Sequence, residues 1–245
     1  MSKIQTFFDE NGYYLAKGVF SADEIDSLEN EFDRIVGQLA KPNEDDPNYN
    51  GIISTRNVQQ YSSLWLTALL HKRFLDIAEQ FIGPDIVLNH STLFEKRKTT
   101  GETPFKMHQD WSYLPTQKNS MIAGMIHVSE ATEEIGCLRV YPGSHKQGRM
   151  ESSKAVDPEF HEKFPFEGAT SIEAEPGDVT FFDYFIVHGS ESNHSERARK
   201  VVIARMFSGK DRKEDIYQFS ENLVLRGWNH HTTEATARKA VVKPQ

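Results

Sequence analysis

The chain has 245 residues, 38% of them apolar and 26% charged, with a mean hydropathy of −0.58; such a composition excludes a disordered chain and one built from membrane-spanning segments. A formal net charge of −8, with lysines and arginines scattered among acids, leaves no basic face for a nucleic acid. A single cysteine, Cys137, excludes an intramolecular disulfide framework and points to a reducing compartment.

The expectation is therefore a cytoplasmic protein, monomer or homodimer, whose partner is a small molecule rather than a membrane or a nucleic acid. Neither MSKIQTFFDENGYY at the start nor VVKPQ at the end reads as a targeting signal.

Along the chain, Ser21 followed by Glu24 forms a capping box, since each side chain can satisfy a free backbone amide at a helix start. Ile25, Leu28, Phe32, Ile35 and Leu39 then recur at steps of three and four, while Glu29, Asp33 and Arg34 mark the wet face. KPNEDDPNYNG breaks this helix. A second helical pattern runs over 64–82 through Leu66, Leu70, Phe74, Ile77 and Phe81, and Gly83-Pro84 stops it.

From Ile86 the texture changes to short β-branched or aromatic runs: IVLNHSTLFEK, SMIAGMIHV, CLRVYP, DVTFFDYFIVHGS and KVVIARMF. The reading is one domain over 1–245, mainly β: a mostly helical support over 1–84, a sandwich or jelly-roll core over 85–210, and a C-terminal extension over 211–245. The wider end of such a barrel can hold a small-molecule site.

His108-Gln109-Asp110 follows the turn-rich GETP and runs into WSY. Alternation along an extended chain puts His108 and Asp110 on one side, a two-point clamp for a metal. His188 ends the apolar run TFFDYFIV, where a strand leaves the interior for the rim. Two imidazoles and a carboxylate with open positions suit non-haem iron(II) and oxygen chemistry. Periodicity alone does not choose these ligands among the ten histidines. His90 and His127, in apolar strands, read as core histidines or as walls of a substrate pocket.

After His188 the chain continues GSESNHSERARKVVIARM. A hairpin of that length returns Arg199 to the neighbourhood of His188, where its guanidinium can take a carboxylate in two-pronged fashion. Ser190 shares the strand face of His188. A diacid cosubstrate fits this pattern, and 2-oxoglutarate is the one that iron(II) chemistry uses. Arg205 lies on the same strand face as Arg199, further along.

HQDWSYLP, GCLRVYPGSHKQG, PGDVTFFDYFIVHGS and HGSESNHSERARK together resemble the phytanoyl-CoA dioxygenase family of iron(II)/2-oxoglutarate oxygenases. The resemblance covers about 88–207 and implies a double-stranded β-helix, a jelly roll of the cupin-like kind, with flanking helices. It implies that His108, Asp110 and His188 bind Fe(II), that Arg199 and Ser190 hold 2-oxoglutarate, and that Lys96 reaches the same pocket. Met125 stands where members often carry an aromatic residue of that pocket.

Related halogenases have a small residue in place of the aspartate, so Asp110 implies hydroxylation. The expected reaction is insertion of oxygen from O2 into an unactivated C–H bond of a metabolite, with release of succinate and CO2. Candidates for the substrate pocket are Trp111, Tyr113, His90, His127, Arg205 and Trp228. The rival readings are a zinc hydrolase on the same three ligands, which has no use for Arg199, and a silent jelly-roll binding module.

Overall fold

The structure, a computed structural model, describes residues 1–39, 50–99, 105–151, 158–214 and 222–232. Most of the expected KPNEDDPNYNG break, the GETP turn and most of the C-terminal extension lie outside the described residues. In chain order come α1 (Lys3–Asn11), β1 (Tyr13–Ala16), α2 (Ala22–Gln38), β2 (Ile52–Arg56), α3 (Ser63–Leu69) and α4 (Lys72–Ile82). The core follows with β3 (Ile86–Lys96), β4 (Phe105–His108), β5 (Ile122–His127), β6 (Leu138–Val140), α5 (Pro158–Lys163) and β7 (Thr170–Ile172). It ends with β8 (Val179–Asp183), β9 (His188–Ser190), β10 (Arg199–Ser208) and β11 (Leu223–Arg226).

The capping box forms as expected: Ser21 Oγ accepts from the Glu24 amide at 3.4 Å, and the Glu24 carboxylate accepts from the Ser21 amide at 2.7 Å. Ile25, Leu28, Phe32 and Ile35 of α2 are buried. The polar face also works: Glu29 and Asp33 hold Lys200 of β10 at 2.9 and 2.7 Å, tying helix to sheet.

The single helix expected over 64–82 is two. The chain leaves helical geometry at His71, ψ 128°, whose ring packs on Phe20 at 4.7 Å between centroids, and Leu70 is left 45% exposed. An aromatic contact made outside the helix thus overrides a pattern continuous in sequence. Gly83, at φ 86°, ends α4 in a conformation that favours glycine.

A large antiparallel sheet has the order β1-β8-β5-β10-β3-β11, with β2 also on β3, and a small one has β4-β9-β6-β7. The eight strands β3 to β10 form the two leaves of a jelly roll. β1, β2 and β11 extend the large leaf, so the helical support also supplies two strands. The large leaf buries Ile126, Phe181, Val202, Ala204 and Met206 against the helices. Its other face turns Met125, Phe182, Val201 and Ile203 toward Leu138, Val140 and Ile172 of the small leaf.

Two features of the strands reset the sequence reading. Between β3 and β10 the register slips: Arg205 pairs with His90 and Met206 with Leu88, leaving Asn89 as a bulge. A one-residue bulge exchanges the faces of a strand. Leu88 therefore faces the helices while His90, two residues on, faces the interior.

DVTFFDYFIVHGS, read as one run, is two strands in different sheets. Asp183 Oδ1 accepts from the Phe185 amide at 2.7 Å and turns the chain between them. By the same logic β9 and β10 are not a hairpin. Asn193 bridges the connection, donating to the Lys96 and Arg197 carbonyls at 3.0 and 2.6 Å, and carries it from the small leaf to the large one. Arg199 consequently faces Ser190 across the sandwich instead of lying beside it. No helix among the described residues is long and apolar enough to cross a membrane.

Candidate active site

His108 and His188 are cross-strand partners on β4 and β9, with ring centroids 4.3 Å apart. His108 Nδ1 lies 2.7 Å from the Lys106 carbonyl and His188 Nδ1 3.0 Å from that of Ile186, so each ring donates through Nδ1 and presents a bare Nε2. Those Nε2 atoms lie 3.6 and 3.9 Å from Asp110 Oδ1. The three ligand atoms all fall within 4.8 Å of one another. Burial and the neighbouring His108 hold His188 down to about 4, which leaves it a neutral donor near pH 7. A donor set of two imidazoles and one carboxylate fits iron(II).

Gln109, between the clamp residues, is what orients them. It is wholly buried, donates to the Phe185 and Gly148 carbonyls at 2.5 and 3.0 Å, and accepts from Trp111 Nε1 and the Met150 amide at 2.8 and 3.1 Å. The strand ends at His108, and Asp110 opens a short 3₁₀ turn. Asp110 Oδ2 accepts from Arg205 Nε at 3.0 Å. Burial raises the pKa of this carboxyl, and Arg205 with the two imidazoles more than reverses it, holding the group well below its usual range.

A cavity of about 90 Å³ opens beside the triad, lined by His188, Ser190, Arg199, Met125, Leu138, Phe182 and Ile203 among others. Arg199 donates to the Gly136 carbonyl through Nη1, while its buried Nε has no partner. Burial lowers its pKa to about 10. A buried guanidinium with no carboxylate is costly, and a diacid would supply the missing charge.

Lys96 is fully buried next to Ser190 at 2.6 Å; Arg97 and Lys98 turn outward to Glu95 and Glu196. A second cavity of about 890 Å³ is walled by Arg56, Tyr61, His90, Thr92 and Tyr113, with Phe94, Phe105, His108 and Arg205 shared between the two.

The family model of phytanoyl-CoA dioxygenase (PhyH) matches residues 8–201. The chain belongs to the phytanoyl-CoA dioxygenase family. It is 27% identical to the peroxisomal phytanoyl-CoA dioxygenase of Bos taurus over 80% of this chain and 65% of that protein. It thus spans about two thirds of the mammalian relative's length. It is 23% identical to the ectoine dioxygenase of Sphingopyxis alaskensis over 76% of this chain and 69% of that one.

Among solved structures, the non-heme alpha ketoglutarate dependent epimerase SnoN from nogalamycin biosynthesis superposes with a TM-score of 0.77 at 18% identity, covering 92% of this chain and 95% of that one. EctD from S. alaskensis superposes with a TM-score of 0.74 at 23% identity, covering 92% and 86%. At these identities the likeness is one of fold.

Around this family's core, the remaining expected site residues divide. His90, Tyr113 and Arg205 line the large cavity. His90 is 4% exposed and held down to about 3 by burial and by Arg205. The Tyr113 ring lies edge-on to His108 at 6.4 Å.

Trp111, His127 and Trp228 line neither cavity. Trp111 is turned away by its bond to Gln109 and carries Arg149 over its ring at 5.3 Å. His127 is a core histidine bonded to Thr180 at 2.9 Å. Trp228 is 64% exposed, its amide on Asp85. Sequence reasoning missed the wall formed by Ser54, Thr55, Arg56 and Asn57. The only signal was the β-branched run of IISTR, too brief to announce a strand.

Proposed function

We propose that this protein is an iron(II)- and 2-oxoglutarate-dependent dioxygenase that hydroxylates an unactivated C–H bond of a small polar metabolite, releasing succinate and CO2. What carries the reading is a two-histidine, one-carboxylate donor set beside a buried guanidinium that, among the described residues, no carboxylate meets. Iron(II) held by His108, Asp110 and His188 supplies the binding site for O2 and the oxidising power, which no side chain possesses.

The chain supplies orientation and exclusion of water. Two backbone carbonyls fix both imidazoles as Nε2 donors, and Arg205 keeps the buried Asp110 ionised. Arg199 takes the far carboxylate of 2-oxoglutarate with Ser190 beside it and Lys96 behind, while Met125, Leu138, Phe182 and Ile203 keep the space between dry. The large cavity receives the substrate against His108. Hydroxyl, amide and guanidinium groups make up about half of its wall, which favours a polar metabolite over a long acyl chain.

Anaerobic addition of iron(II) and 2-oxoglutarate is expected to give the weak visible charge-transfer band of their chelate. A protein that binds iron(II) but gives no such band is not a 2-oxoglutarate enzyme, and a zinc hydrolase gives none. Candidate metabolites are then ranked by the succinate release they stimulate.

A further inference from the structure

Among the described residues, Lys96 is the one lysine with no solvent exposure. Its Nζ meets three neutral oxygens: Ser190 Oγ at 2.6 Å and the carbonyls of Glu191 and Gly136 at 2.5 and 3.3 Å. Arg199 is its register partner on β10, and Ile52 on β2. From β4 the Phe105 ring faces it at 5.5 Å. Nearby charges do not balance it. The Glu191 carboxylate is taken by Arg139 at 2.9 Å, and burial pushes the Cys137 thiol up, which keeps it neutral.

Two basic groups lie side by side here with, among the described residues, no acid between them. Burial and then Arg199 hold Lys96 down to about 5, so near pH 7 it is an amine. His127 of β5, whose register partner on β10 is Val201, two residues on from Arg199, is likewise neutral, held to about 3 by burial and by Arg199. An amine has two N–H donors and one lone pair; it donates to the two carbonyls and accepts from the Ser190 hydroxyl. An ammonium has three donors and no acceptor. Once Lys96 is charged, the Ser190 proton must point elsewhere, and Ser190 lines the cavity that holds Arg199.

We propose that Lys96 is a positioning residue that takes up one proton from solvent when a dianionic cosubstrate enters, turning the Ser190 hydroxyl from a donor to the lysine into a donor to the incoming carboxylate. One N–H bond forms, the proton comes from buffer, and nothing leaves. The dianion supplies the negative charge that lets Lys96 and Arg199 both be cations. The inference rests on the 2-oxoglutarate reading given above. It adds that cosubstrate binding is linked to pH, weakening about tenfold per unit rise while the free lysine is neutral and the bound one charged.

The test is calorimetric titration of the Mn(II)-loaded protein with 2-oxoglutarate near neutral pH, in two buffers of unlike ionisation enthalpy. The heats are expected to differ by the contribution of about one proton per cosubstrate bound. Lys96→Met is expected to abolish that difference and to weaken binding roughly 10-fold to 100-fold, the loss of one charge-assisted hydrogen bond. Equal heats in the two buffers with the unsubstituted protein would overturn the proposal while leaving 2-oxoglutarate as the cosubstrate. Uptake that persists in Lys96→Met places the proton on another group, such as His127, and also overturns it. No binding of 2-oxoglutarate by the Mn(II)-loaded protein removes the cosubstrate reading itself, and this inference with it. Should Lys96→Met fail to fold, His127→Gln carries the two-buffer measurement in its place: uptake that survives this substitution stays with Lys96, and uptake that vanishes overturns the proposal.

Discussion

Arg199 separates a 2-oxoglutarate enzyme from any other metal protein with this triad. Its Nε is buried without a partner and its Nη1 is spent on a backbone carbonyl. A carboxylate entering the cavity converts an uncompensated charge into an ion pair, and losing that pair costs on the order of 2 to 4 kcal/mol. Arg199→Ala is therefore expected to raise the 2-oxoglutarate requirement about 30-fold to 1,000-fold at unchanged iron affinity. Arg199→Lys recovers part of this, because an ammonium cannot reproduce the fork of a guanidinium. Arg197, 61% exposed in its side chain and paired with Glu130, is the control, and Arg197→Ala should leave the requirement unchanged. Titrating 2-oxoglutarate against succinate formed measures all three; a normal requirement in Arg199→Ala moves the cosubstrate elsewhere. Arg205 is unsuitable as a control, because its guanidinium rests on Asp110.

Elements divide by whether their causes are local. The start of α2 was legible because Ser21 and Glu24 bond each other within three residues. Ser21→Ala is expected to cost about 1 kcal/mol and to lower Tm by roughly 2 to 4 °C without changing turnover, as thermal unfolding would show. Bonds from Ser21 hold Glu24 below the usual carboxylate range. That contribution is therefore present above the unfolded-state pKa and is lost as pH falls through the lower folded one, so the gap between Ser21→Ala and the parent should narrow in acid. A gap that is constant with pH would mean that the Ser21 hydroxyl contributes through the Glu24 amide alone and not through the carboxylate.

The break at His71 was not legible, because its cause, the Phe20 ring, comes from another segment. Nor was the Asn89 bulge, a property of pairing between β3 and β10. The turn at Asp183 left a trace, an aspartate inside an aromatic run, which reads as a strand break only once the two sheets are known.

For the molecule as a whole, the site was more legible than the path of the chain to it. His108, Asp110, His188, Ser190 and Arg199 converge although β9 and β10 lie in opposite leaves and form no hairpin. Convergence survives because a jelly roll brings its two leaves together over the same interior, so a wrong neighbour in sequence was still a neighbour in space. The wall from β2 was invisible for the converse reason, since nothing in IISTR announces which leaf it will join.

That division of the site between leaves has a mechanical side. The triad belongs to the small leaf, on β4, β9 and the turn after β4, whereas Lys96, Met125 and Arg199 belong to the large one. A diacid with one end on the triad and the other on Arg199 is a rivet through both plates. At a hundred times its dissociation constant it should add about 2.7 kcal/mol of stability. Amide exchange in β4 and β9 should then slow together with that in β3 and β10, as it does when two sheets can no longer breathe apart. Protection confined to one leaf would mean that the rivet does not reach the other plate.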